Sequence, residues 1–170
     1  MQTDEEKFLT ILKNNKGILF KVSNTYCNNK DDREDLIQEI IVQLWRAWPK
    51  FDHQYKVSTW MYRIALNVSI SFYRKTSYRK EKHQQFSDSL NLKKESSESN
   101  TSEEIEQLHH FISKLNEMNK AIILLYLERY TYEEIGTSLG ISTTNVATKI
   151  SRIKKQLKSY FKKTNKDEFR

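Results

Sequence analysis

The chain has 170 residues with only three glycines and one proline, which excludes a turn-rich β protein and favours helices. Aromatic residues make up 12 % and apolar residues 37 %, which excludes a disordered chain, and a net charge of +7 suits a partner with a phosphate backbone. The single cysteine, Cys27, excludes an internal disulfide and a cysteine-based zinc site.

Thr3 and Glu6 have the spacing of a capping box and open a first helix carrying Phe8, Ile11 and Leu12. A second apolar set runs Ile18, Leu19, Val22, Tyr26. Asp31-Asp32-Arg33-Glu34 offers a cap and first-turn acids for a third helix. Its stripe is Leu36, Ile37, Ile40, Ile41, Leu44, Trp45, Trp48, and Pro49 ends it. Residues 49–57 read as a loop. A long helix starts at or near Ser58, with an apolar face of Trp60, Met61, Ile64, Ala65, Val68 and Phe72, and continues into the basic stretches Tyr73-Arg74-Lys75 and Tyr78-Arg79-Lys80.

Between Ser87 and Ser102 lie six serines with Asp88, Asn91, Glu95, Glu98 and Asn100, and only Leu90 and Leu92 are strongly apolar. Such a segment buries too little surface to offset its ordering entropy. It reads as a flexible acidic linker over 84–103 between a domain at 1–83 and a second at 104–170. Charge follows the same division: residues 1–85 hold 15 basic and 10 acidic side chains, residues 86–104 hold 2 and 5, and residues 105–170 hold 12 and 7.

In the second block, Ile105, Leu108, Phe111, Ile112 and Leu115 form one helical stripe and Met118, Ile122, Leu125 and Tyr126 the next. Thr131-Tyr-Glu-Glu134 is a capping box opening a short helix with Ile135 and Leu139. Gly140 then suits a left-handed helix end, and Ser142 caps a last helix with Val146, Ile150, Ile153 and Leu157 facing inward. No strand pattern is present, so the fold class is all-α. A short capped helix, a glycine turn and a longer capped helix make the layout of a DNA-binding helix-turn-helix, whose second helix enters the major groove. Thr143, Thr144, Ala147, Thr148, Ser151, Arg152 and Lys155 lie largely away from the core. The early residues suit base edges, while Lys149, Arg152, Lys154, Lys155 and Lys158 suit phosphates. A solvated helix with a lysine tail is the plainer explanation. The two caps, the turn, and seven basic residues with no acidic one from Ser142 to Lys163 together favour DNA.

Three runs of the first block carry a family resemblance: Glu34-Asp-Leu-Ile-Gln-Glu39, then Leu44-Trp-Arg-Ala-Trp-Pro-Lys-Phe51, then Ser58-Thr-Trp-Met-Tyr-Arg-Ile-Ala-Leu-Asn67. They resemble the second region of the extracytoplasmic-function (ECF) sigma factors of bacterial RNA polymerase, in the sigma-70 family. Tyr132-Glu133-Glu134-Ile135-Gly136 resembles the phrase that precedes the helix-turn-helix in that family's fourth region. The resemblance implies a promoter-recognition subunit in which 1–83 is the region 2 domain and 104–170 the region 4 domain. It implies that Asp35, Gln38 and Glu39 face the clamp helices of the largest polymerase subunit, where carboxylates and an amide suit arginines. Taken alone, those three side chains read as a solvated acidic face. Phe51, Trp60, Tyr62, Arg63 and Asn67, followed by Arg74 and Lys75, are placed by it at the −10 element, which must be unstacked and captured. Trp60 and Phe51 read equally well as core residues. Thr143, Thr144, Thr148, Lys149, Ser151, Arg152 and Lys155 are placed at the −35 element. The implied partners are core RNA polymerase (the clamp helices and the flap of the second-largest subunit), promoter DNA, and an anti-sigma factor that in some members is membrane-anchored. Ala147 and Ser151 depart from the larger residues common in the family, and Gly136 stands where alanine is commoner, a change expected to matter little.

A helix-turn-helix regulator acting without core polymerase is the alternative, but it has no need of the Asp35–Glu39 helix or the Trp60–Asn67 helix. An enzyme is not expected: His53, His83, His109 and His110 are scattered, and no phosphate-cradling glycine loop or nucleophile elbow is present. No metal, cofactor or small-molecule substrate is expected. The polar start and the lack of a long apolar run point to a cytoplasmic protein without a signal peptide or membrane span.

Overall fold

The computed structural model describes residues 3–84 and 103–167, with side chains over 3–77 and 103–162. It falls into two compact units, Met1–Ser97 and Glu98–Arg170. All regular structure among the described residues is helical. Most of the linker expected over 84–103 lies outside the described residues, as do the side chains of Arg79, Lys80 and His83.

The first unit holds α1 (Asp4–Asn14), α2 (Lys16–Tyr26), α3 (Lys30–Ala47) and α4 (Val57–Gln84). The Thr3–Glu6 box forms in both directions, Glu6 N–H donating to Thr3 Oγ1 at 3.2 Å and Thr3 N–H to Glu6 Oε2 at 2.9 Å. The cap of α3 is Asn29, ahead of the expected Asp31–Glu34 run, its Oδ1 accepting from Asp32 N–H at 2.7 Å, and Asp31 and Asp32 fall in the first turn. Helices α2, α3 and α4 pack on one another, burying Ile18, Leu19, Val22, Leu36, Ile40 and Leu44. Complete burial of a leucine or isoleucine contributes about 1.5–3 kcal/mol, so the outward face of α3 is free to be polar.

Two local expectations shift. Trp48–Lys50 form a 3-10 turn continuing α3, with Pro49 in its first positions, where a missing N–H costs nothing. The buried face of α4 is Met61, Tyr62, Ala65, Leu66, Ser69 and Ile70, rotated from the expected one; Trp60, Ile64, Val68 and Phe72 are half-buried beside it. Apolar residues occur nearly all round this helix, so periodicity alone leaves its orientation open. Ser69 is tolerated at the core because its Oγ donates to Ala65 O at 2.7 Å.

The second unit holds α5 (Glu103–Ser113), α6 (Glu117–Leu127), α7 (Tyr132–Leu139) and α8 (Thr143–Asp167). The Thr131–Glu134 box is present in both directions, at 3.2 and 2.8 Å. Gly140 ends α7 in the left-handed region with φ 69°, and Ser142 Oγ accepts from Asn145 N–H at 3.2 Å to open α8. Ile122, Leu125, Ile135, Val146, Ile150 and Ile153 close the core of this unit. Gly136 is not interchangeable with alanine as expected. A Cβ there would meet the Ile141 carbonyl oxygen at 2.7 Å, so its absence sets how closely the turn approaches α7.

Candidate nucleic-acid and protein interfaces

On α3, Asp35, Gln38 and Glu39 are all exposed on the side away from Leu36, Ile40 and Leu44. Gln43 Nε2 donates to Glu39 Oε1 at 2.8 Å, which orients the carboxylate along the helix. Val42 and Trp45 continue this surface and are 41 % and 44 % exposed. The ring of Trp45 is held edge-on by Phe8 of α1 at 5.0 Å between centroids. An acidic surface with an aromatic at its end suits a basic partner.

At the foot of α3 the aromatic residues gather. Trp48 stacks on Phe51 at 5.6 Å, Phe51 meets Trp60 of α4 at 4.8 Å, and Trp48 lies 6.1 Å from Trp60. His53 sits edge-on to Phe51 and Trp48, at 5.0 and 5.7 Å. Phe51 is 8 % exposed, so it acts first as the floor of the 51–56 loop. Above this floor the loop turns on Asp52, whose Oδ1 accepts from Gln54 N–H at 2.9 Å and whose carbonyl accepts from Tyr55 N–H at 3.1 Å. The turn leaves Tyr55 69 % exposed.

Steps of three and four residues place Trp60, Arg63, Asn67, Ser71 and Arg74 in one line along α4. The last four are exposed and Trp60 is half-buried at the loop. Asn67 Nδ2 donates to Arg63 O at 2.8 Å and Ser71 Oγ to Asn67 O at 3.0 Å. Lys75 is exposed just off this line. Tyr62, grouped with these residues from sequence, points the other way and is 3 % exposed. Ser71 and Tyr55 were missed; the four-residue step from Asn67 would have found Ser71, but nothing local marks Tyr55 as the tip of a turn.

On α8, Thr143, Thr144, Thr148, Ser151, Arg152 and Lys155 are exposed and Lys149 is half-buried, opposite the inward Val146, Ile150 and Ile153. Lys154 differs from its basic neighbours. Its Nζ donates to Tyr126 Oη at 2.7 Å and lies 4.5 Å from the centre of that ring, tying α8 to α6. The hydrogen bond raises its pKa above the ordinary lysine value.

No cluster of three or more metal-ligating side chains occurs among the described residues. Cys27 is buried, with Sγ 3.5 Å from Asp32 O. His109 is exposed, and the neighbouring His110 packs beside Tyr160 at 6.3 Å. No described helix is long and apolar enough to cross a membrane.

Two helical units, one carrying an exposed polar line beside an aromatic loop and the other a basic helix-turn-helix, define a two-domain transcription factor of the sigma type. The family models agree: sigma-70 region 2 matches residues 11–79 and sigma-70 region 4 matches 105–157. The chain is 25 % identical to the RNA polymerase sigma factor SigV of Bacillus subtilis over 158 residues, 92 % of each chain. It is 26 % identical to the ECF sigma factor SigW of the same organism, covering 91 % of each. Among solved structures, the fold is shared with the sigma factor RpoE bound to the anti-sigma factor NepR from Bartonella quintana, with TM-score 0.66, 18 % identity, and 93 % of this chain and 96 % of that one covered. It is also shared with CnrH in complex with the cytosolic domain of CnrY, at TM-score 0.65, 19 % identity, and coverage of 93 % and 89 %. The chain belongs to the sigma-70 family, in its ECF class. It is a sigma factor that binds core RNA polymerase and directs transcription initiation at promoters.

Proposed function

We propose that residues 1–83 bind core polymerase and capture the −10 element, that 84–103 bridge, and that 104–170 hold the −35 duplex. The observation that carries this reading is the exposed line Arg63, Asn67, Ser71, Arg74, which continues from half-buried Trp60 and its packed aromatic floor. Opening DNA strips a base of its stacking partners, and the replacement must be aromatic surface, an amide for the base edge and cations for the backbone. Trp60 and the 51–56 loop offer the surface, Asn67 the amide, and Arg63, Arg74 and Lys75 the cations. Phe51 floors the loop and Tyr62 supports the helix from behind.

Asp35, Gln38 and Glu39 engage the polymerase clamp helices, and the second unit meets the flap. Thr143, Thr144, Thr148 and Ser151 address base edges, and Lys149, Arg152 and Lys155 address phosphates. The protein acts in the cytoplasm without chemistry of its own, needing no metal or cofactor. An anti-sigma factor is a fitting partner, as the sigma factor RpoE, which shares this fold, is seen in complex with the anti-sigma factor NepR. Run-off transcription with sigma-free core polymerase on a genomic promoter library tests the reading. New discrete start sites that require the protein are expected. Tight duplex binding with no dependent start site would favour a regulator that works without core polymerase.

A further inference from the structure

Helix α1 buries a single side chain: Phe8 is 4 % exposed, while Leu9 is exposed and Ile11 and Leu12 are half-buried. Its start is closed by the Thr3–Glu6 box. Its end runs into α2 through Asn15, whose Nδ2 donates to Ile11 O at 2.9 Å and whose carbonyl accepts from Ile18 N–H at 3.0 Å. The Phe8 ring sits between two tryptophans one turn apart on α3, edge-on to Trp45 at 5.0 Å and tilted against Trp48 at 5.8 Å. Trp45 is exposed beside the acidic surface, whereas Trp48 is buried and stacks on Phe51, which meets Trp60. Each centroid spacing in the series Trp45, Phe8, Trp48, Phe51, Trp60 falls within the roughly 4.5–7 Å of a direct aromatic pair.

We infer that Phe8 is a positioning residue for −10 capture: its ring, wedged between Trp45 and Trp48, ties the polymerase-facing side of α3 to the floor of the 51–56 loop. The inference rests on the proposed roles of those two surfaces and adds what connects them. Rings in van der Waals contact leave no void to absorb a shift. A partner that seats on Trp45 therefore fixes the Phe8 ring, and the Phe8 ring fixes the plane of Trp48 on which Phe51 stacks. A leucine fills part of the same space but presents no flat face to either tryptophan. A ring that merely fastened α1 would contribute to stability alone, and its loss would lower core binding and promoter opening together.

The test uses holoenzyme reconstituted from the full chain and core polymerase, with each variant's active fraction fixed by titration against core so that unfolded protein does not count. Phe8→Leu is expected to leave core affinity within about twofold of wild type while lowering −10 opening, read by permanganate reactivity, roughly threefold to tenfold, the worth of one or two aromatic pairs. Phe8→Met, which keeps more of the volume without a ring, is expected to show the same loss. Holoenzyme binding to a single-stranded −10 oligonucleotide is expected to fall by a similar factor. A double-mutant cycle with Trp45→Leu separates a relay from two independent losses. The double variant is expected to open promoter about as well as the weaker single variant, because either change breaks the same series of contacts. Unchanged opening in Phe8→Leu and Phe8→Met, core affinity falling in step with opening, or losses that multiply in the double variant would each overturn the inference. Absence of any opening by wild-type holoenzyme is a different failure, that of the sigma reading itself.

Discussion

Gly136 and Ile141 are in backbone contact across the turn of the helix-turn-helix: Ile141 N–H donates to Gly136 O at 3.0 Å, and the Ile141 carbonyl oxygen fills the space a Cβ on Gly136 would need. The clash is with backbone, which has no rotamer to yield. Alanine gains about 1 kcal/mol in helix propensity over glycine, but forcing the turn apart costs about 1–3 kcal/mol. Gly136→Ala is expected to lower the stability of the second unit by about 1 kcal/mol and to weaken −35 binding by displacing α8. Denaturant unfolding and duplex affinity check it; a stabilised variant with unchanged affinity would show that the turn yields freely.

Arg129 is the one non-glycine residue with positive φ among those described, at 64°. Arg129 N–H donates to Tyr126 O and Tyr130 N–H to Leu125 O, at 3.0 and 3.1 Å, a helix end that ordinarily takes glycine. Arg129→Gly is expected to raise stability by about 0.5–1 kcal/mol, seen as a higher unfolding midpoint. A lower midpoint would mean that the arginine side chain stabilises the fold by more than the strain it carries.

Asp35 and Glu39 are exposed on the side of α3 away from its core stripe, so their charges can be reversed without disturbing Leu36 or Ile40. Asp35→Arg with Glu39→Arg is expected to weaken core polymerase binding at least tenfold, about 1.4 kcal/mol, with helix content unchanged by circular dichroism. Unaltered binding in a direct affinity measurement would remove this face from the polymerase interface.

Asn67 and Trp60 separate capture from folding. Asn67 is exposed and its Nδ2 donates to Arg63 O one turn back in the same helix, so Asn67→Ala is expected to change stability by less than about 0.5 kcal/mol. Promoter opening, read by permanganate reactivity of unpaired thymines, should fall severalfold. Trp60→Ala removes a partner of both Phe51 and Trp48 and is expected to cost about 3 kcal/mol as well as opening. Normal permanganate reactivity in Asn67→Ala would take the amide out of base recognition.

Much of the second unit was legible in order of sequence. The Thr131–Glu134 box, Gly140 and Ser142 act on neighbours three or four residues away, so their chemistry is complete within the local chain. The inward set Val146, Ile150, Ile153 is the sole apolar stripe of a polar helix, which leaves one way to seat α8. In the first unit the same logic holds for Thr3–Glu6 and for α3, whose acidic face is the complement of Leu36, Ile40 and Leu44.

Tertiary structure decided what depends on partners distant in sequence. The orientation of α4 followed from packing against α2 and α3, because an aromatic-rich helix offers several apolar faces of similar merit; this sent Tyr62 inward and lined Ser71 up with Asn67. The Trp48–Phe51–Trp60 floor, the tether from Lys154 to Tyr126 across 28 residues, and the space denied at Gly136 are likewise contacts between separate elements. Sequence by itself determined how α1, α7 and α8 begin, how α7 ends at Gly140 and that the last helix is basic, because capping and charge are local properties. Which side chains share a surface was set only when the helices closed on one another.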